Sequence, residues 1–187
     1  MKLISPPGKS NIIRPTSDRC REALFSILHE NIPQARILDL YTGTGAFAIE
    51  ALSRGAQSAV VVDNGTIAHS ILNKNIQLLN KYYPDDVNVH PPLKFLKSDL
   101  RKGLRTVSRY CKDSDSAFDI IFLDPPYGKG LAQKTLEKLD NTDFLTKNCL
   151  VIAEERSKVL LSESLVHLQG IDTRKYGDTT FWIYRAR

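Results

Sequence analysis

The sequence predicts an α/β protein, a doubly wound and mostly parallel seven-stranded sheet with an antiparallel hairpin at its C-terminal end. Three observations predict it. Short apolar runs rich in valine and isoleucine alternate with stretches whose apolar residues recur at helical spacing, the pattern of successive strand–helix units. A glycine turn, Thr42-Gly43-Thr44-Gly45, joins the first run to the helix after it. The chain closes on two β-rich stretches, Gly170–Tyr176 and Thr180–Tyr184, around a Gly177-Asp178 turn.

Residues 1–15 hold three prolines and a glycine and read as extended. Thr16 or Ser17 caps a helix running to about His29, with Ala23, Leu24, Ile27 and Leu28 on one face. Arg36–Tyr41 reads as a strand, Ala46–Arg54 as a helix stopped at Gly55, and Ser58–Asp63 as a buried strand. A helix comes next over Thr66 to about Tyr82, with Ile67, Ile71, Leu72, Leu78 and Leu79 turned inward. The third strand falls within Val87–Lys97, behind Pro91-Pro92. Leu100–Lys112 reads as a helix, Phe118–Leu123 as a buried strand, Leu131–Leu139 as a helix and Cys149–Glu154 as the fifth strand.

The 187 residues fit one domain spanning 1–187, with residues 1–30 laid across the ligand edge of the sheet. A net charge of +5 permits an anionic partner without demanding one. Cys20, Cys111 and Cys149 are far apart and odd in number, so neither a disulfide framework nor a metal site is expected. With no signal-like apolar segment and no run approaching the ~20 residues of a membrane span, the expectation is a cytoplasmic protein away from membranes.

Chemistry concentrates where strands end. Asp124-Pro125-Pro126-Tyr127 comes directly after the fourth strand at the carboxyl edge, where open α/β sheets bind ligands. Neither proline can donate to a ladder, so the pair ends the strand and fixes the backbone path into Tyr127. A carboxylate, a carbonyl and an aromatic ring in fixed geometry suit a planar base bearing an amine: the oxygens accept from its NH2 and the ring stacks on it. A Pro-rich turn with Tyr127 as packing is the plainer alternative. Gly43 and Gly45 allow a sharp turn and close backbone approach to a ligand, and Asp63, ending the next strand, stands where an acid binds the ribose of an adenosine cofactor. The spacing fits NAD. Asp39, inside the first strand four residues before Gly43, instead favours a cationic ligand such as S-adenosylmethionine, because an unpaired buried carboxylate is costly. Asp99 stands after the third strand and serves equally as an adenine acceptor or a helix cap. Arg101, Arg105, Arg109 and Lys112 form a cationic stripe, read first as a solvated face. Arg14, Arg19 and Arg21 are better placed to reach an anionic partner across the ligand edge.

Taken together, Arg14–Phe25, Leu38-Asp-Leu-Tyr-Thr-Gly-Thr-Gly45, Glu50–Gly55 and Phe118–Tyr127 resemble the RsmD-type family within the class I, Rossmann-like methyltransferases. The resemblance runs from about Ile13 onward, and the Arg-Pro-Thr segment carries most of its specificity. It implies methyl transfer from S-adenosylmethionine to the exocyclic N2 of a guanine in small-subunit (16S) ribosomal RNA, by a monomer that needs no metal. The implied partner is that RNA or the small subunit itself. Asp124, Pro125, Pro126 and Tyr127 would be catalytic, Asp39, Tyr41, Gly43, Gly45, Asp63 and Asp99 would bind cofactor, and Arg14, Thr16, Arg19 and Arg21 would meet RNA. Asp63 stands where the family usually has Glu, and the basic β-hairpin that usually precedes the Arg-Pro-Thr segment is largely lacking. The Asp-Pro-Pro-Tyr motif is shared with adenine-N6 enzymes, so it identifies amine chemistry ahead of guanine.

Overall fold

In the computed structural model, residues 15–80 and 93–187 are described. Arg14, the C-terminal end expected for the helix reaching Tyr82, and the start expected for the third strand in Val87–Pro92 lie outside them. The elements are α1 (Pro15–Ile27), β1 (Arg36–Leu40), α2 (Ala46–Ser53), β2 (Ser58–Asp63), α3 (Thr66–Asn80), β3 (Leu93–Lys97), α4 (Arg105–Ser114), β4 (Phe118–Leu123), α5 (Leu131–Leu139), β5 (Leu145–Arg156), β6 (Leu168–Tyr176) and β7 (Thr179–Ala186).

Among the described residues, seven strands form one sheet in the order β3-β2-β1-β4-β5-β7-β6. β1 pairs in parallel with both β2 and β4, so the chain reverses its direction of travel across the sheet at β1. The crevice outside the carboxyl ends of β1 and β4 is therefore the switch point where such sheets take ligands. β7 pairs antiparallel with β5 on one side and β6 on the other. The expected C-terminal hairpin is present, with its second strand inserted next to β5 and its first at the edge.

Alternation along the buried strands fills both faces of the sheet. Ile37, Val61, Ile120 and Ile152 pack beneath α1, α2 and α3, with Leu24, Phe25, Leu28, Phe47 and Leu72. Leu38, Val60, Ile121 and Val151 face α4 and α5, with Val107, Leu136 and Leu139. Burying one such aliphatic side chain contributes about 1.5–3 kcal/mol. The expected stripe of Leu100, Leu104, Val107 and Cys111 is buried as a set.

Two elements differ from their sequence reading. The helix expected over Leu100–Lys112 is two pieces: a 3₁₀ turn at Leu100–Lys102 and α4, separated at Gly103, whose φ of 123° is closed to other residues. The cationic stripe is split accordingly, with Arg101 on the turn and Arg105, Arg109 and Lys112 on α4. β5 is longer than Cys149–Glu154 at both ends: Leu145 pairs with Phe118 across a register shift next to Asn148, which is left-handed, and Glu155 and Arg156 pair with β7.

Candidate active site

Every parallel strand that reaches the carboxyl edge near β1 delivers an acid or an aromatic ring there. A cavity of about 660 Å³ opens between α1, the glycine turn, the end of β4 and the β6–β7 turn. Asp39, Gly43, Thr44, Phe47, Asp124 and Tyr127 are in its wall. A second hollow of about 350 Å³ shares Tyr41, Asp124 and Tyr127 with it and runs past Pro125 and Pro126 to Asp63. A third continues from Asp63 to Asp99 and Arg101. Sharing Tyr41, Asp63, Asp124, Pro126 and Tyr127 among them, the three form one trough along the edge.

The glycine turn is built by its neighbours. Gly45 has φ 77°, and a Cβ there would overlap Leu72 Cδ1, so only glycine lets α3 close on the loop. Asn75 of α3, fully buried, donates from Nδ2 to Thr44 O at 3.0 Å. Asp63 joins the loop to the end of β2: its Oδ2 accepts from Gly43 N at 3.0 Å and its Oδ1 from Gly65 N at 2.7 Å. Tyr41 leaves β1 with φ 62°, which turns its side chain to the α5 face, where its hydroxyl meets Thr135 Oγ1 at 2.9 Å.

Asp39 is 1% exposed, and Thr42 Oγ1 donates to its Oδ2 at 2.6 Å. Burial pushes its pKa up to about 7, against the pull of the Thr42 and Ala48 hydrogen bonds and with a further push from Asp63. A carboxyl in that state becomes a strong acceptor once a cation arrives, which fits the ammonium and sulfonium of S-adenosylmethionine. Asp99 accepts from Arg101 N at 3.1 Å and is bridged by the Arg101 guanidinium, which holds its carboxyl below the usual range. It caps the 3₁₀ turn and still faces the third hollow.

Asp124 comes immediately after β4, its N–H reaching Leu40 O at 3.4 Å. Asp124 is exposed to the trough. Partial desolvation of its carboxyl, with Glu154, Asp39 and Glu155 nearby, pushes its pKa well above its ordinary value. Pro125 is buried, Pro126 exposed and Tyr127 half-buried. The Tyr127 hydroxyl donates to Glu154 Oε1 at 2.5 Å and lies 3.4 Å from Thr179 Oγ1, while the Arg156 guanidinium sits 5.6 Å from the ring centroid.

Glu154 is the site residue that the sequence reading passes over. It closes the run Val151-Ile-Ala-Glu154, and an acid ending a buried strand is the same signal that marks Asp63 and Asp124. The apolar back wall, where Phe47 stacks on Phe122 at 4.2 Å, is likewise absent from that reading. Of the residues expected to meet RNA, Arg21 lines the main cavity, Arg19 is exposed on α1, Thr16 falls in the first turn of α1, and Arg14 is outside the described residues. Among the described residues no group of three His, Cys, Asp or Glu is arranged to hold a metal, and no helix is long and apolar enough to cross a membrane.

This strand order, with a glycine turn after β1 and acids at successive strand ends, defines a class I methyltransferase fold. Residues 2–185 match the family described as Conserved hypothetical protein 95, and the chain belongs to that family, the RsmD-type methyltransferases. It is 34% identical over 146 residues to ribosomal RNA small subunit methyltransferase D of Buchnera aphidicola, covering 78% of this chain and 69% of that one. The Escherichia coli K12 protein of the same name is 32% identical over 149 residues, covering 80% and 67%. A conserved hypothetical protein from Streptococcus pyogenes superposes with a TM-score of 0.72 at 28% identity, covering 89% of this chain and 95% of that one. SMU.776, solved with S-adenosylhomocysteine, shares the fold at a TM-score of 0.63 and 15% identity over 89% of this chain and 49% of its own.

Proposed function

We propose that this chain, acting as a single domain, methylates the exocyclic N2 of a guanine in small-subunit ribosomal RNA. S-adenosylmethionine is its cofactor. The observation that carries the reading is the shared trough: a buried, cation-seeking Asp39 beside the glycine turn opens into the same cavity as Asp124 and Tyr127.

In this reading Asp99 and Asp63 flank the adenosine end, Tyr41 and Pro126 line its middle, and Gly43, Gly45 and Asp39 receive the amino-acid end. Bound there, the cofactor supplies an electrophilic methyl group. An aromatic amine is a poor nucleophile because its lone pair is delocalised into the ring. Asp124 and the Pro125 carbonyl accept its two N–H bonds, which favours a pyramidal nitrogen and frees the lone pair. In its ionised form Asp124 then takes the proton released as the N–C bond forms and the methyl–sulfur bond breaks. Alignment within the trough contributes the rest. Tyr127 stacks on the base, worth roughly 1–3 kcal/mol, and the base must leave its own stack to reach it. Arg19 and Arg21, with Arg14 and Thr16 ahead of them, meet the RNA backbone along α1.

The test is transfer of a labelled methyl group to naked ribosomal RNA, assembled small subunits and DNA, with identification of the methylated nucleoside. N2-methylguanosine from the RNA or the subunit supports the proposal; N6-methyladenine, or no product on any acceptor, overturns it.

A further inference from the structure

Glu154 has no part in the methyl-transfer chemistry assigned to Asp124, yet it is built into the same wall. β4 and β5 run parallel, and their last registered pair is Leu123 with Ala153. The next residues on the two strands are Asp124 and Glu154, which therefore project from neighbouring strands about 4.8 Å apart. Both face the main cavity. The Tyr127 hydroxyl holds one oxygen of Glu154 at 2.5 Å and so fixes the plane of its carboxyl. Among the described residues, no further hydrogen bond to that side chain is formed. Burial raises the Glu154 pKa against the pull of the Tyr127 hydrogen bond, and in the ionised form the second oxygen is an acceptor at the base end of the trough, beside the acid that takes the amine.

Two adjacent acceptors read a purine edge in a definite way. Guanine presents two donors side by side, the N1–H and the N2 amine. Adenine presents one donor, its N6 amine, next to the lone pair of N1. An acceptor placed on the N1 side of the amine therefore gains a hydrogen bond with guanine and meets a lone pair with adenine. Discrimination of this kind rests on the repulsive contact as much as on the attractive one. A site built around a donor rejects analogues that lack it far more strongly than an apolar pocket rejects a change of shape.

We propose that Glu154 is the specificity-determining residue of this site, accepting the N1–H of the guanine whose amine is held by Asp124. The proposal rests on the amine-methylating reading of the trough and goes beyond it by assigning the choice of base to one side chain. It also gives Tyr127 a second task, since the ring that stacks on the base orients the carboxyl that reads it.

The test uses small subunits reconstituted on ribosomal RNA carrying either guanosine or 2-aminopurine riboside at the position the wild-type enzyme methylates. 2-Aminopurine keeps the reacting amine and has a lone pair at N1. Wild-type kcat/KM is expected to be lower on 2-aminopurine by roughly a hundredfold, the scale of a charge-assisted hydrogen bond exchanged for an unpaired acceptor. Glu154→Gln preserves an acceptor for Tyr127 and adds an amide donor that N1 can accept, so the ratio of the two substrates is expected to approach one. A purely structural role would depress both substrates together and leave the ratio standing. Tyr127→Phe, which removes one hydroxyl and frees the carboxyl, is expected to narrow the ratio in the same direction should the glutamine variant fold poorly. Equal wild-type use of both bases, a preference for 2-aminopurine, or a ratio unchanged in the variants overturns the proposal. Failure of the wild-type enzyme to methylate guanine N2 at all is a different result, and it counts against the parent reading.

Discussion

Asp39 predicts a pH-dependent cofactor affinity whose size comes from the structure. Its carboxyl is 1% exposed and burial raises its pKa to about 7, so the free protein at neutral pH holds it half protonated. Only the ionised form attracts the ammonium and sulfonium of the cofactor. With a midpoint near 7 it is about nine-tenths ionised at pH 8 and about one-tenth at pH 6. Affinity is therefore expected to fall about tenfold between those two values, close to 1.4 kcal/mol. Titration calorimetry in two buffers of different ionisation heat measures this directly, because binding at pH 6 must also release a proton. Asp39→Asn is expected to bind more weakly and to lose both the slope and the proton release. A flat profile for the wild type, or the same slope in the variant, refutes the reasoning. The same group sets the sign of a stability effect in the absence of cofactor. Between its ordinary value of 3.8 and about 7 the folded chain holds a proton that the unfolded chain has lost, so stability falls as pH rises through that window. Asp39→Asn is expected to shrink that fall, leaving the share of the other raised acids, Asp124 and Glu154, as urea denaturation across the window will show.

Individual contacts give three further expected outcomes. Asp63→Ala takes an acceptor from both Gly43 N and Gly65 N, and cofactor binding is expected to weaken by about 1–3 kcal/mol, with unchanged calorimetric affinity as the contrary result. Tyr127→Ala removes the stacking ring and should lower kcat/KM for RNA by roughly 1–3 kcal/mol while cofactor affinity holds; unaltered RNA kinetics would count against stacking. Gly45→Ala forces a Cβ into Leu72 Cδ1 at φ 77°, and a loss of about 1–3 kcal/mol in urea denaturation is expected, whereas wild-type stability would show that α3 yields freely.

The sheet was legible because its signals are local. Apolar runs, a glycine turn and a two-residue hairpin turn each arise from short-range chemistry, and β2, β4 and α5 begin and end where the residues say. The split at Gly103 was legible in principle, since glycine inside a helical pattern is a warning, but the unbroken apolar stripe from Leu100 to Cys111 outweighed it. The length of β5 was not legible, because Lys147 and Asn148 look like loop residues and sit in the irregular stretch between the Leu145 and Leu150 pairings with β4. In the site, the acids at strand ends were readable one strand at a time. Glu154 matters through Tyr127, which is 27 residues away in sequence, and no spacing rule expresses that contact. Asp99 caps the 3₁₀ turn by its bond to Arg101 and also faces the trough, where its role toward adenine is a proposal.

We propose that Asp124 holds the reacting amine of a guanine. The most direct measurement is labelled methyl transfer to small subunits by the wild type and by Asp124→Ala, with the nucleoside product identified by mass spectrometry and cofactor affinity measured on both proteins. N2-methylguanosine is expected from the wild type, and no detectable product from a variant that still binds cofactor. Normal turnover in Asp124→Ala, or a product methylated on adenine, would contradict it.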